Sequence, residues 1–404
     1  MPTLHLLSPR GFRAAGVPAG IKTTGKPDVG LLTAARPVSA AAVFTTNKVF
    51  AAPVQVGREH VGNGKLRAVV VNSGNANACT GAAGLRDARR MCSLAGKLLD
   101  CDAETVLPSS TGIIGHALPM DKIERGIADA AKTLGDSHDH ALDFAEAILT
   151  TDLTRKAAAV EAKIGRQIVR LAGVCKGSGM IGPRMVPAAL HATMLAYLTT
   201  DISAPPRLLS KLLAAATEGS FNAVTVDDHM STNDTAVLLA SGAAEAKLDS
   251  PRAIRLFADA LDEVCQSLAY QIAADGEGAT KVVKITVRSA ASTAAARAIA
   301  RAIANSPLVK CAMHGNDPNW GRIVSAAGLA GVPFDPDRSA LTLQGTAVFR
   351  NGRPLAFDAV KLSKELAAKD VEVDLICQLG DAEASCWTCD LSKEYVTINA
   401  DYHT

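Results

Sequence analysis

Apolar residues recur with a period near 3.6 in five stretches. They predict amphipathic helices over Leu85 to Leu99, Asp121 to Leu134, Arg252 to Ala274, Thr293 to Ala304 and Lys361 to Ala368. Between them, short runs rich in β-branched and other apolar residues predict strands over Arg67 to Val71, Ile168 to Ala172, Val282 to Val287, Leu341 to Phe349 and Val371 to Cys377. Asn351-Gly352 supplies a hairpin turn after one of these strands, because both residues accept positive φ at low cost. The expected fold class is mixed α/β (α+β). No fixed-period repeat or low-complexity linker divides the chain, and Pro205-Pro206-Arg207 and the stretch from Asn305 to Pro307 read equally as joints or as ordinary loops.

Composition sharpens this picture. With 404 residues, 48% of them hydrophobic and only 4% aromatic, the chain can bury a large aliphatic core, and its length predicts two lobes. The formal charge of +2 is spread along the sequence, which argues against a nucleic-acid footprint or an anionic membrane surface and for a small-molecule partner. Met1 to Pro9 does not read as a secretory signal, and no apolar run is long and uncharged enough to span a bilayer. A soluble, cytoplasmic protein is expected. The nine cysteines are odd in number and scattered from Cys79 to Cys389, unlike a disulfide framework. Cys386-x-x-Cys389 lacks a second ligand pair nearby, so the two cysteines read as packed thiols and no metal is expected.

Candidate chemistry starts from loops crowded with Gly, Ser, Thr and Asn. They are Asn72 to Asn77, Ser109 to Gly115, and Lys176 to Met180. A single loop of this kind is ordinarily a tight turn. Together they offer exposed N–H groups beside hydroxyls, which an enzyme needs to stabilise a developing oxyanion, and Thr111 and Gly112 are candidate donors. No phosphate-binding loop, His-Glu-x-x-His helix or Gly-x-Ser-x-Gly elbow is present. By pattern alone Thr193, which opens an apolar run, is a strand residue rather than a nucleophile.

Distinctive motifs recur in order along nearly the whole chain. In the first half these are Gly11 to Gly16, Val43 to Asn47, Asn72 to Gly81, Ser110 to Gly115 and Lys176 to Ile181. The second half continues with Ala192-Thr193-Met194-Leu195, Thr199-Thr200-Asp201, Ser231 to Asp234, Glu277 to Lys281, Asp317 to Arg322 and Val396 to Ala400. Taken in this order they resemble the ornithine acetyltransferases, also called glutamate N-acetyltransferases.

The resemblance implies a layered sheet-and-helix sandwich of the self-processing type with a second, smaller lobe. It also implies autocatalytic cleavage between Ala192 and Thr193, giving an α chain of 1–192 and a β chain of 193–404 that associate as a heterotetramer of two α and two β chains. Thr193 is then the nucleophile that takes acetyl from N-acetylornithine and passes it to glutamate, giving ornithine and N-acetylglutamate in arginine biosynthesis. Its freed α-amino group, with an ordinary pKa near 8, can accept the hydroxyl proton without a histidine. Thr111 and Gly112 match the family's oxyanion hole, and Thr151, Lys176, Thr193, Glu277, Asn399 and Thr404 its substrate-binding positions. Lys176 suits a carboxylate and Glu277 an ammonium. No resident cofactor is implied; family members differ in whether acetyl-CoA serves as a second donor.

Three positions depart from the family pattern. Val186 to His191 are additional residues between Met185 and Ala192, Asp228-His229 stand where the family usually has Gly-Asp, and His403 replaces a usual Arg. The additional residues read as a tolerated loop; a functional reading makes His191 a proton carrier for cleavage. Two other functions share these residues: a self-processing aminopeptidase or amidase that releases the acyl group to water, and a noncatalytic small-molecule binding protein.

Overall fold

The computed structural model describes residues 4–187 and 194–401. Nine strands form the larger sheet: β1 (Phe12–Val17), β2 (Val29–Thr45), β3 (Lys65–Asn75), β4 (Val106–Ile113), β5 (Lys156–Ile164), β6 (Gln167–Lys176), β7 (Met185–Pro187), β8 (Leu195–Thr200) and β9 (Thr235–Ala240). Their order is β4-β3-β2-β9-β8-β6-β5, with β1 and β7 paired to opposite ends of β2. The smaller sheet has six strands: β10 (Val282–Ala290), β11 (Ala340–Leu343), β12 (Thr346–Arg350), β13 (Arg353–Pro354), β14 (Asp370–Ile376) and β15 (Ala382–Cys389).

Helices cover both sheets. They are α1 (Ala52–Val61), α2 (Gly81–Leu99), α3 (Met120–Lys132), α4 (His138–Ala147), α5 (Pro206–Glu218), α6 (Pro251–Ala274), α7 (Thr293–Asn305), α8 (Pro307–His314), α9 (Trp320–Gly328), α10 (Ala359–Glu365) and α11 (Lys393–Asp401). α6 shows how the sequence encodes them. The Ser250 hydroxyl accepts from the Ala253 N–H, Pro251 occupies the first turn, and Phe257, Leu261, Val264, Leu268 and Ile272 make one buried stripe. That stripe packs with Leu209 and Leu213 of α5 against β6, β8 and β9. The alternation of strand residues sends Leu195, Tyr197, Val237 and Leu239 to the opposite face, where they meet Phe144 of α4. Helices thus cover both faces of the larger sheet.

The mixed α/β class and the second lobe agree with the sequence expectation, but details differ. Leu341 to Phe349 is two strands, because Gln344 and Gly345 take φ of 46° and 76° and turn the chain back. Asn351 and Gly352, at φ 51° and 74°, make the expected turn between β12 and β13. The proline-marked joints are helix starts: Pro206 opens α5, and Ser306 caps α8 ahead of Pro307. The lobes meet instead across α6, between β9 and β10. The additional residues after Met185 are not wholly loop, since Val186 and Pro187 belong to β7 and pair with Phe44 and Val43.

Cys386 and Cys389 share β15, yet they pack into different cores, one per face, as strand positions three apart must. Burial pushes the Cys386 thiol up to about 11. Two thiols so placed cannot close on one ion. Among the described residues no cluster of His, Cys, Asp or Glu could hold a metal, and no helix is long and apolar enough to cross a membrane.

Candidate active site

β6 ends at Lys176, which pairs with Leu195, the first residue of β8. β4 carries Thr111 and Gly112 at its own end, beside the Gly74-Asn75 end of β3. The two strand ends converge, and the Lys176 ammonium donates to Thr111 Oγ1 at 3.3 Å. A hydroxyl that accepts from an ammonium turns its own hydrogen elsewhere, so Thr111 keeps a donor for a further oxygen. Gly112 has φ of 131°, and a Cβ there would lie 2.4 Å from the Gly74 carbonyl carbon. Only glycine fits this strand end.

A cavity of about 150 Å³ opens at this junction. Its wall includes Thr111, Gly112, Thr151, Lys176, Glu277 and Asn399, the described positions that the sequence resemblance singled out. Ala192, Thr193 and Thr404, with His191 and His403, lie outside the described residues. Glu277 is buried in this wall, its Oε2 accepting from Asn399 Nδ2 of α11 at 2.8 Å. Gly179 lets it approach, since a Cβ there would meet Glu277 Oε2 at 2.2 Å. Of the departures from the family pattern, His229 lines the cavity, whereas the Asp228 carboxylate faces Arg184 and Arg301.

Sequence reasoning gave no role to Asp227 or Tyr395 in the wall, nor to the ions behind it. Asp227 is half-buried, and its oxygens accept the N–H groups of Met180 and Ile181, both at 2.8 Å, and Tyr395 Oη at 3.3 Å. Burial raises its carboxyl despite those bonds. Beneath Lys176, Lys156 is wholly buried between Asp152 at 2.7 Å and Asp275 at 2.5 Å. Asp152 also accepts the Gly177 N–H at 2.6 Å and lies 4.0 Å from Lys176 Nζ. Burial lowers the Lys176 ammonium against the opposing pull of Asp152. Burial alone would push Asp152 up, but Lys176 and Lys156 hold its carboxyl down at about 2.

The sign of that shift sets a pH dependence. A carboxyl held below its ordinary 3.8 stabilises the folded state fully above that value and loses the effect as pH falls through about 2. Unfolding free energy should therefore drop between about pH 4 and pH 2. A urea titration series across that range checks it, with Asp152→Asn expected to be weaker at neutral pH and to lose less on acidification.

Fold and pocket together define a two-sheet α/β protein whose strand ends close on a small pocket lined by a buried lysine and a buried glutamate. The chain belongs to the ArgJ family, whose model matches residues 13–404. It is 44% identical over 407 residues to the arginine biosynthesis bifunctional protein ArgJ of Rhodopirellula baltica, covering 100% of this chain and 98% of that one. With the protein of the same name from Symbiobacterium thermophilum it shares 46% over 401 residues, 98% of each. Two solved structures are also similar. ArgJ from Bacillus halodurans is 41% identical, covering 46% of this chain and 96% of that one with a TM-score of 0.45. Ornithine acetyltransferase from Mycobacterium tuberculosis, in complex with ornithine, is 37% identical, covering 46% and 98% with a TM-score of 0.42.

Proposed function

We propose that this protein transfers acetyl from N-acetylornithine to glutamate through an acetyl-Thr193 intermediate, after cutting itself between Ala192 and Thr193. The observation that carries the reading is the single pocket shared by Thr111, Gly112, Lys176 and Glu277, with Lys176 paired to Leu195, two residues past Thr193. The relatives' name, arginine biosynthesis bifunctional protein, supports a place for this reaction in arginine biosynthesis.

In this reading the freed α-amino group of Thr193 accepts the hydroxyl proton, and Oγ attacks the acetyl carbonyl. The Thr111 hydroxyl and the Gly112 N–H stabilise the oxyanion. Ornithine leaves with the proton, and the amine of glutamate attacks the acetyl ester to regenerate threonine. Lys176 holds the α-carboxylate and Glu277 the ammonium of the amino acid. Acetyl arrives on the substrate, so no resident cofactor is required; acetyl-CoA, where it serves, is a second donor to the same threonine. The cut would leave β6 on the first fragment and β8 on the second, and their pairing supports fragments that remain together; the assembly we propose is a heterotetramer of two α and two β chains. The site of action we propose is the cytoplasm.

Initial-rate kinetics with N-acetylornithine and glutamate test the transfer. Parallel double-reciprocal lines are expected for a ping-pong reaction, and intersecting lines overturn the covalent intermediate. Acetyl released to water at the same rate without glutamate would make the protein an amidase. Lys176→Ala and Glu277→Ala should each lower kcat/KM roughly 10- to 100-fold, the worth of a charge-assisted hydrogen bond, while leaving the two-chain pattern on a denaturing gel. Either variant with wild-type kcat/KM removes that residue from the site.

A further inference from the structure

Arg58 stands in the last turn of α1. All three nitrogens of its guanidinium are closed to solvent, and none has a hydrogen-bond partner among the described residues. Burial pushes the group down to about 10, so it remains a cation at neutral pH. The rings of Phe44 and Phe50, each centred 5.5 Å from the guanidinium carbon, and the negative end of the helix dipole offset part of the cost of burying it. Neither supplies an acceptor. A native protein that keeps such a fork of donors unmet keeps it for a reason.

The reason lies beside it. A cavity of about 400 Å³ opens among α1, β2 and the start of α5, and Arg58 and Phe44 belong to its wall with Asn63, Arg207 and Ser210. Ala40 to Ala42 and Pro206 make much of the rest apolar. Among the described residues no aspartate or glutamate lines it, so two guanidinium groups share one cavity without a counter-charge. The second of them, on Arg207, is exposed in the first turn of α5. Pro205 and Pro206 have no N–H, the N–H groups of Leu208 and Leu209 both go to the Pro205 carbonyl oxygen, and no side chain caps the turn. The Arg207 N–H is thus an open donor at the positive end of a 13-residue helix, where anions are favoured. Gly64 lets this helix end approach the loop after α1, since a Cβ there would lie 2.4 Å from Pro206 Cβ. The cavity shares no wall residue with the pocket of Lys176 and Glu277.

We propose that this cavity is a second binding site, for a small phosphate monoester with an apolar body. Two guanidinium forks and a helix N-terminus suit a phosphate that carries close to two negative charges at neutral pH. A bare phosphate would fill only part of the space. Phe44, Pro206 and the alanines of β2 suit the organic group attached to it.

Phenyl phosphate is the probe, titrated into the full-length protein by isothermal calorimetry. Saturable binding is expected, with inorganic phosphate and benzoate both weaker, because the first lacks the ring and the second carries a single charge. Arg58→Met keeps an apolar stem against the two rings and should weaken binding about 10- to 100-fold, the worth of charge-assisted hydrogen bonds. Arg207→Met, at an exposed position where the fold is not at stake, should weaken it about 10-fold. N-acetylornithine should not displace the probe. Affinity unchanged in both variants overturns the site, as does the lack of saturable binding at millimolar phenyl phosphate. Displacement by N-acetylornithine would put the probe in the Lys176 pocket and overturn it equally. Glutarate that binds more tightly than phenyl phosphate, with the same dependence on Arg58, would overturn the phosphate assignment in favour of a dicarboxylate.

Discussion

Thr193→Ala should give one uncut chain, and acetyl exchange between N-acetylornithine and glutamate should fall by on the order of 10⁴-fold or more, as when other covalent nucleophiles are removed. Two functions disappear with one hydroxyl. In the proposed reaction it attacks the preceding carbonyl before cleavage and carries the acetyl group afterwards. Thr193→Ser separates the two from side-chain shape, because it keeps the hydroxyl and loses only a methyl group. Serine should still cut and still transfer, more slowly. An alanine variant that exchanges acetyl at a rate near the wild type would place the nucleophile elsewhere.

Lys156→Met should destabilise the fold by about 3–5 kcal/mol, the cost of breaking a buried ion pair from one side. Lys156 lies wholly buried between Asp152 and Asp275, and removing it leaves two carboxylates in the interior with Lys176, 4.0 Å from Asp152, to compensate in part. The effect should reach the pocket. Asp152 would draw Lys176 toward itself, away from Thr111, so KM for N-acetylornithine should rise in the protein that does fold. Lys156→Met with Asp152→Asn should cost less than the sum of the single changes, since the second relieves a charge that the first exposes. Urea unfolding midpoints of the three variants check this, and strict additivity would mean that the cluster does not act as a unit.

The parts of this account that were legible in the sequence are the locally encoded ones. The stripe from Phe257 to Ile272 announced α6 because every member lies on one helical turn or the next. Leu341 to Phe349 misled because its alternation continues on both sides of Gln344-Gly345, and the turn shows only in the positive φ of those two residues. The pocket is a different matter. Periodicity cannot bring Thr111, Lys176, Glu277 and Asn399 together; the resemblance of motifs did that, and the fold supplies the reason in the converging ends of β4 and β6. The Lys156 cluster had no signal at all. Its members are 4 and 119 residues apart in sequence, and Lys156 reads there as one more solvated lysine.

The most direct test of the central claim is intact mass spectrometry of the purified protein before and after N-acetylornithine is added. The account predicts two fragments, 1–192 and 193–404, and a second fragment made heavier by one acetyl group that glutamate then removes. A single uncut chain that still exchanges acetyl, or an acetyl group carried by the first fragment, would contradict it.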